Sequence, residues 1–224
     1  MSNMQAVELI IKNIEYLEDA KRLLEGEISE KICAALDSKI HNFIDDFEDK
    51  WEGVFNFYDN CYSQFAPEKW RVTNGDTFKH QQFYARYFLG YESDETGGDS
   101  TEWFLTALLK NDKEKLVFNF YPWRENFIKC TVKDWKDFAS ESNQMYQQIE
   151  EFGFKYNAKQ GSWYLIIDGI DPEKLIENYK NETIEDALEP FEIALKKLQQ
   201  AHPYFDAIVT SAKNKFNNEA IGVV

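Results

Sequence analysis

Residues 5 to 25 place Val7, Ile10 or Ile11, Ile14, Leu17 and Leu24 at intervals of three and four, which stacks them as one apolar stripe along a helix. Gly26 interrupts the run, after which Ile28, Ile32, Leu36, Ile40, Phe43, Phe47 and Trp51 repeat the spacing and predict a second helix. A short break between two amphipathic helices predicts an antiparallel hairpin, with a single bent helix as the other reading.

From 53 to 170 the apolar period shortens towards two, and 27 of the 36 aromatic residues lie in this stretch, so strands are the natural reading. Phe83 to Tyr91, Thr101 to Leu109, Leu116 to Tyr121 and Phe127 to Val132 are the first four predicted strands. Their short connections favour antiparallel neighbours, with residues 93–100 and 111–115 as hairpin loops. Trp135, Phe138, Ser142, Met145, Ile149 and Phe152 return to helical spacing. Two further strands, Phe154 to Tyr156 and Trp163 to Ile167, flank a turn at residues 159–162. Beyond Asp171 the pattern is helical: Asp171-Pro172 reads as an N-cap followed by proline in the first turn, Thr183 as another helix start, and His202-Pro203 as a boundary.

The fold class expected is therefore α+β: an N-terminal helical hairpin, a mostly antiparallel sheet of four to six strands, and C-terminal helices packed on one face. Repeats and linkers rich in Gly, Ser or Pro are absent from the sequence, so residues 1–52 are read as a helical appendage of the same domain as the aromatic-rich body, 53–224.

Charge changes the functional picture more than the structural one. The 224 residues carry 40 acidic and 25 basic side chains, a net −15, which argues against direct nucleic-acid binding and against an anionic membrane surface. The excess is uneven: residues 1–52 hold thirteen acids against six bases, whereas 101–132 hold four against five. Cys33, Cys61 and Cys130 are odd in number and without CxxC or CxxH spacing, which encodes neither a disulfide framework nor a zinc site and fits a reducing, cytoplasmic setting.

Dinucleotide, P-loop, nucleophile-elbow and HExxH motifs are missing from the sequence. Among three histidines, His41 has Asp37 and Asp45 four residues to either side on one helical face, most simply a solvated His on an acidic helix. The loop Glu92 to Glu102 gathers carboxylates, but its glycines stand where calcium ligands would be needed. Asp134-Trp135-Lys136, with Asp112 upstream, resembles a fragment of the PD-(D/E)xK nuclease pattern, in which two carboxylates hold Mg²⁺ beside a lysine. Acid-x-Lys recurs on three predicted helical stretches, which makes the spacing unspecific.

The densest local feature is the acidic run Asp45, Asp46, Glu48, Asp49 and Glu52, with Phe47 and Trp51 on the opposite side of the expected helix. The function expected from these features is non-enzymatic: an acidic inhibitor, immunity-type or adaptor protein that docks a basic surface of a macromolecular partner through this run, possible nucleic-acid mimicry included. It needs no cofactor and no metal. Trp123 is singled out as an exposed edge aromatic, because Pro122 ends its strand. The alternative is a metal-dependent hydrolase around Asp112, Asp134 and Lys136. A third class, a small-ligand binder in the aromatic middle, calls for a pocket of about 300 Å³ or more lined by Trp and Tyr.

Overall fold

The computed structural model describes residues 3–47, 49–72, 78–92, 103–109 and 114–217. At the N-terminus, α1 (Asn3–Lys12) and α2 (Ile14–Leu23) run into a π-helical turn, Leu24–Ile28, and then into α3 (Ser29–Asp45). Gly26 inside that turn has φ −107° and ψ −110°, so the helix is bent there. A packed hairpin would bury the stripe of residues 7–24 against α3, yet α2 contributes no buried residue, and Val7, Ile10, Ile14 and Leu17 are all exposed. The bent-helix reading is the one that matches. By contrast α3 buries Ile32, Cys33, Leu36, Ile40 and Ile44 in the body core.

Six antiparallel strands make one open sheet in the order β1-β2-β3-β4-β6-β5: β1 (Trp51–Phe55), β2 (Ser63–Pro67), β3 (Ala85–Tyr91), β4 (Leu116–Pro122), β5 (Phe154–Asn157) and β6 (Ser162–Ile166). Opposed residues share a face, so the registers Phe65↔Tyr87↔Phe120↔Trp163↔Tyr156 lay an aromatic row across it. Neighbouring ring centroids in that row are 5.1–5.7 Å apart. Against this face lies the last and longest helix, Glu189–Asn217, whose Phe205 stacks on Phe120 at 4.2 Å.

Between strands, α4 (Phe57–Asn60) joins β1 to β2, and α5 (Phe104–Leu108) follows β3. α6 (Val132–Met145) and α7 (Gln148–Glu151) precede β5; α8 (Pro172–Lys180), α9 (Ile184–Ala187) and α10 (Glu189–Asn217) complete the chain. Asp171 caps α8 by accepting from Glu173 N at 2.9 Å, with Pro172 in the first turn where no donor is needed.

Four expectations are corrected. The helix through Trp51 ends at Asp45, and Trp51 opens β1, because its indole packs between Tyr87 and His202. The strand expected within Thr101–Leu109 contains α5; short apolar runs do not separate strand from helix by period. Phe127–Val132 is the turn and cap entering α6, where Phe127 stacks on Trp135 at 5.4 Å. Pro203 sits inside α10 rather than at its boundary: the lost hydrogen bond is offset by burial on both sides, at Leu198, Ala201, Phe205 and Ile208. The two expected hairpin loops, 93–100 and most of 111–115, lie outside the described residues.

Candidate functional site

The second face of the sheet carries polar groups that neither helices nor strands explain. Its register row is Gln64↔Phe88↔Asn119↔Tyr164↔Lys155, with Arg86 opposite Tyr121 and Gly90 opposite Val117. Asn119 is fully buried, and both its Oδ1 and Nδ2 lack a hydrogen-bond partner. Arg86 has Nε and Nη1 enclosed and equally unpartnered.

Around Arg86 the fold leaves a cavity of about 400 Å³. Three residues of β3, Arg86, Phe88 and Gly90, point to one side because they alternate along the strand, and they form part of its lining. Gln64 of β2 faces it from the neighbouring strand. Cys61, left-handed at φ 56°, ends α4 and turns the chain so that Asn60, Cys61 and Tyr62 meet the cavity, while His80 enters from a 3₁₀ turn. Gly90 leaves little room for a side chain: a Cβ there would stand 3.0 Å from Phe88 Cε2 and 3.5 Å from Asn119 Nδ2.

The guanidinium of Arg86 is bounded by aromatic rings, with centroids of Phe88, Tyr121 and Trp123 at 5.2, 5.8 and 5.9 Å. Within 4 Å of it there is no carboxylate among the described residues, although the chain carries 40 acids. Burial pulls its pKa below the usual arginine value. His80 meets the Trp123 ring edge-on at 4.7 Å, and its pKa is lowered first by burial and then by the Arg86 charge, so it is neutral at pH 7. A buried cation bounded by π faces is costly unless an anion completes it. Guanidinium, neutral imidazole and amide groups together offer donors to a small anion, and the rings offer walls to a flat apolar remainder.

Of the residues singled out from the sequence, Trp123 reaches this site, standing at its rim between His80 and Arg86. The acidic run is divided. Asp45 and Asp46 end α3 exposed, with Asp45 3.5 Å from His41; Asp49 pairs with Lys69 at 2.8 Å, and Glu52 pairs with Arg71 from β1. Glu48 lies outside the described residues. Asp37 turns inward from the face it was expected to share with His41, and accepts from Ser63 Oγ and from Phe57 N. Asp134 is committed to a capping box: Thr131 N donates to it at 3.1 Å, and its own N–H donates to Thr131 Oγ1 at 3.2 Å. Lys136 is half-buried on α6, and Asp112 lies outside the described residues, as does the acidic loop beyond Glu92. His202 is buried under Trp51 and Trp70. No group of three or more His, Cys, Asp or Glu side chains among the described residues is placed to hold a metal ion. None of the described helices is long and apolar enough to cross a membrane.

Arg86, Asn119, Gly90, Gln64 and His80 were missed by sequence reasoning. A signal existed for two of them: Arg86 in Ala-Arg-Tyr-Phe-Leu-Gly-Tyr and Asn119 in Leu-Val-Phe-Asn-Phe-Tyr are the lone strongly polar residues of apolar strands. Such residues in buried strands need a partner. Comparison with protein-family models, with curated proteins and with solved structures finds no match to this chain.

Proposed function

We propose that the protein is a non-enzymatic binding module whose ligand is a small, flat organic anion, most simply a carboxylate carried on an apolar ring. The observation that carries this reading is Arg86, which lines a cavity of about 400 Å³ and has two guanidinium nitrogens, Nε and Nη1, without a hydrogen-bond partner. The cavity falls in the range of about 300–1,000 Å³ usual for small-molecule sites. The rings of Tyr62, Phe88 and Tyr91 beside Asn60, Gln64, His80 and Arg86 support that kind of site; it is near the third class expected from the sequence, except that no Trp is in its lining. Binding rather than turnover is favoured because no nucleophile in the lining is paired with a base among the described residues.

Docking of a basic macromolecule through the acidic run has less support, since Asp49 and Glu52 already hold Lys69 and Arg71. The hydrolase reading has less still, with the Asp134 carboxylate engaged at a helix N-terminus.

The test is thermal unfolding with benzoate as the probe, and with inorganic phosphate and benzyl alcohol alongside. Ligand at about a hundred times its Kd stabilises the fold by about 2.7 kcal/mol. Benzoate is expected to raise the midpoint of the wild type and not that of Arg86→Met. A shift by phosphate alone would replace the carboxylate by a phosphate ligand. No shift by either anion, or an equal benzoate shift in Arg86→Met, would overturn the reading.

A further inference from the structure

The N-terminal arm carries an apolar stripe that is left largely exposed among the described residues. From Val7 to Leu24 its residues fall in a heptad register: Val7, Ile14 and Lys21 at a, Ile10, Leu17 and Leu24 at d, with Met4 and Ile11 beside them at e. Val7, Ile10, Ile14 and Leu17 are each about half exposed, and Met4 and Ile11 more so. The two helices meet at Asn13, whose φ of −123° and ψ of 22° depart from the helical region, while Asn13 N still donates to Ile10 O at 3.2 Å and Leu17 N to Asn13 O at 3.0 Å, so the helical path resumes after one turn. Below the stripe the arm is anchored to the body: Tyr58 Oη donates to Glu25 O at 2.7 Å, and Tyr179 Oη to Glu27 Oε1 at 3.3 Å.

We propose that this stripe seats the same stripe of a second copy of the chain. Three features select that occupant. First, β-branched residues at a with mostly leucine at d, and one lysine at an a position, form the residue pattern of a two-stranded seam, the lysine penalising other registers. Second, the six exposed residues from Met4 to Leu17 present roughly 650 Å² per copy, so a pair removes about 1,300 Å², inside the range of specific interfaces. Third, apart from Lys21 the charges of the arm lie outside the a and d positions, and several are paired on their own helix, by Lys12–Glu8 at 2.6 Å, Arg22–Asp19 at 2.8 Å and Lys21–Glu25 at 3.6 Å. Two arms therefore meet without the repulsion that a net −15 would otherwise bring. The small Ala6 and Ala20 at g let the helices approach closely. An anionic bilayer is a poorer match, because its amphipathic ligands are rich in Lys and Arg, and the arm from Asn3 to Glu25 carries five acids and three bases.

The experiment is light scattering of the full chain across about 5–200 µM, the span in which an interface of this size and length is expected to associate, with the Ile10→Glu/Leu17→Glu variant beside it. The wild type is expected to reach twice 26.4 kDa, and the variant to stay at 26.4 kDa or to need at least about 100-fold more protein. Both positions are exposed in the single chain, so the melting of the body should be unchanged, which separates lost pairing from lost folding. A wild type that stays at 26.4 kDa throughout, or a variant that pairs as well as the wild type, would overturn the proposal, as would tight binding of the arm to phosphatidylserine vesicles by a single chain.

Discussion

The Tyr87 hydroxyl lies 3.1 Å from His202 Nδ1 in the centre of the core, joining β3 to α10, while Nε2 of the same ring is enclosed and has no partner. Burial, with the Lys69 charge adding to it, brings the His202 pKa down to about 4 from an ordinary 6.5. A base whose folded pKa is depressed takes up a proton on unfolding wherever the pH lies below the unfolded value. Stability from this group is thus complete above pH 6.5 and is lost as the pH falls from 6.5 to about 4. The loss is roughly 3 kcal/mol at most. Denaturant melts of the wild type and of His202→Gln over that window check it: the steeper fall should belong to the wild type.

Arg86→Met should stabilise the protein while removing ligand binding. A half-buried cation with two unbonded nitrogens is replaced by an apolar chain of similar length, which is worth about 1–2 kcal/mol in the absence of anion. Urea unfolding in a buffer free of organic anions is the measurement, and a clear destabilisation would mean that the guanidinium already has a partner.

Gly161→Ala is expected to be costly. Gly161 has φ +70°, its carbonyl accepts from Trp135 Nε1 at 2.9 Å, and an added Cβ would stand 2.8 Å from that same nitrogen. Backbone strain and the displaced indole together should cost about 2 kcal/mol or more. Tryptophan fluorescence should report the displacement alongside the lower midpoint.

Thr131→Ala should lower stability by about 1 kcal/mol through loss of the cap of α6. Calorimetry with Mg²⁺ or Mn²⁺ should show no binding that depends on Asp134. A metal signal abolished by Asp134→Ala would instead restore the carboxylate to a catalytic role.

The N-cap at Asp171, the amphipathic helix at α6 and the strands β3, β4, β5 and β6 were legible in the sequence, because each depends on residues close in the chain: a side chain reaching its own first turn, or apolar groups alternating along one segment. β1 and β2 were not, since Trp51 and Phe65 continue patterns that fit a helix or nothing in particular until Tyr87 and His202 are placed beside them. The candidate site shows the same divide more sharply. Trp123 was marked by Pro122, its immediate neighbour, but as an exposed edge aromatic; it is half-buried and follows β4, which lies between β3 and β6 rather than at an edge. Arg86 and Asn119 are 33 positions apart and become one feature only when β3 pairs with β4 in a register that sets Phe88 against Asn119.

By itself, the sequence determined the α+β class, the place of most helices and the uneven spread of charge, all of which follow from local periodicity and composition. Only the tertiary structure decided which face of each strand is covered, which acids are already paired, and that an arginine has two enclosed nitrogens with no carboxylate beside it among the described residues. Burial and pairing are properties of contacts between distant segments, and no spacing along one segment records them.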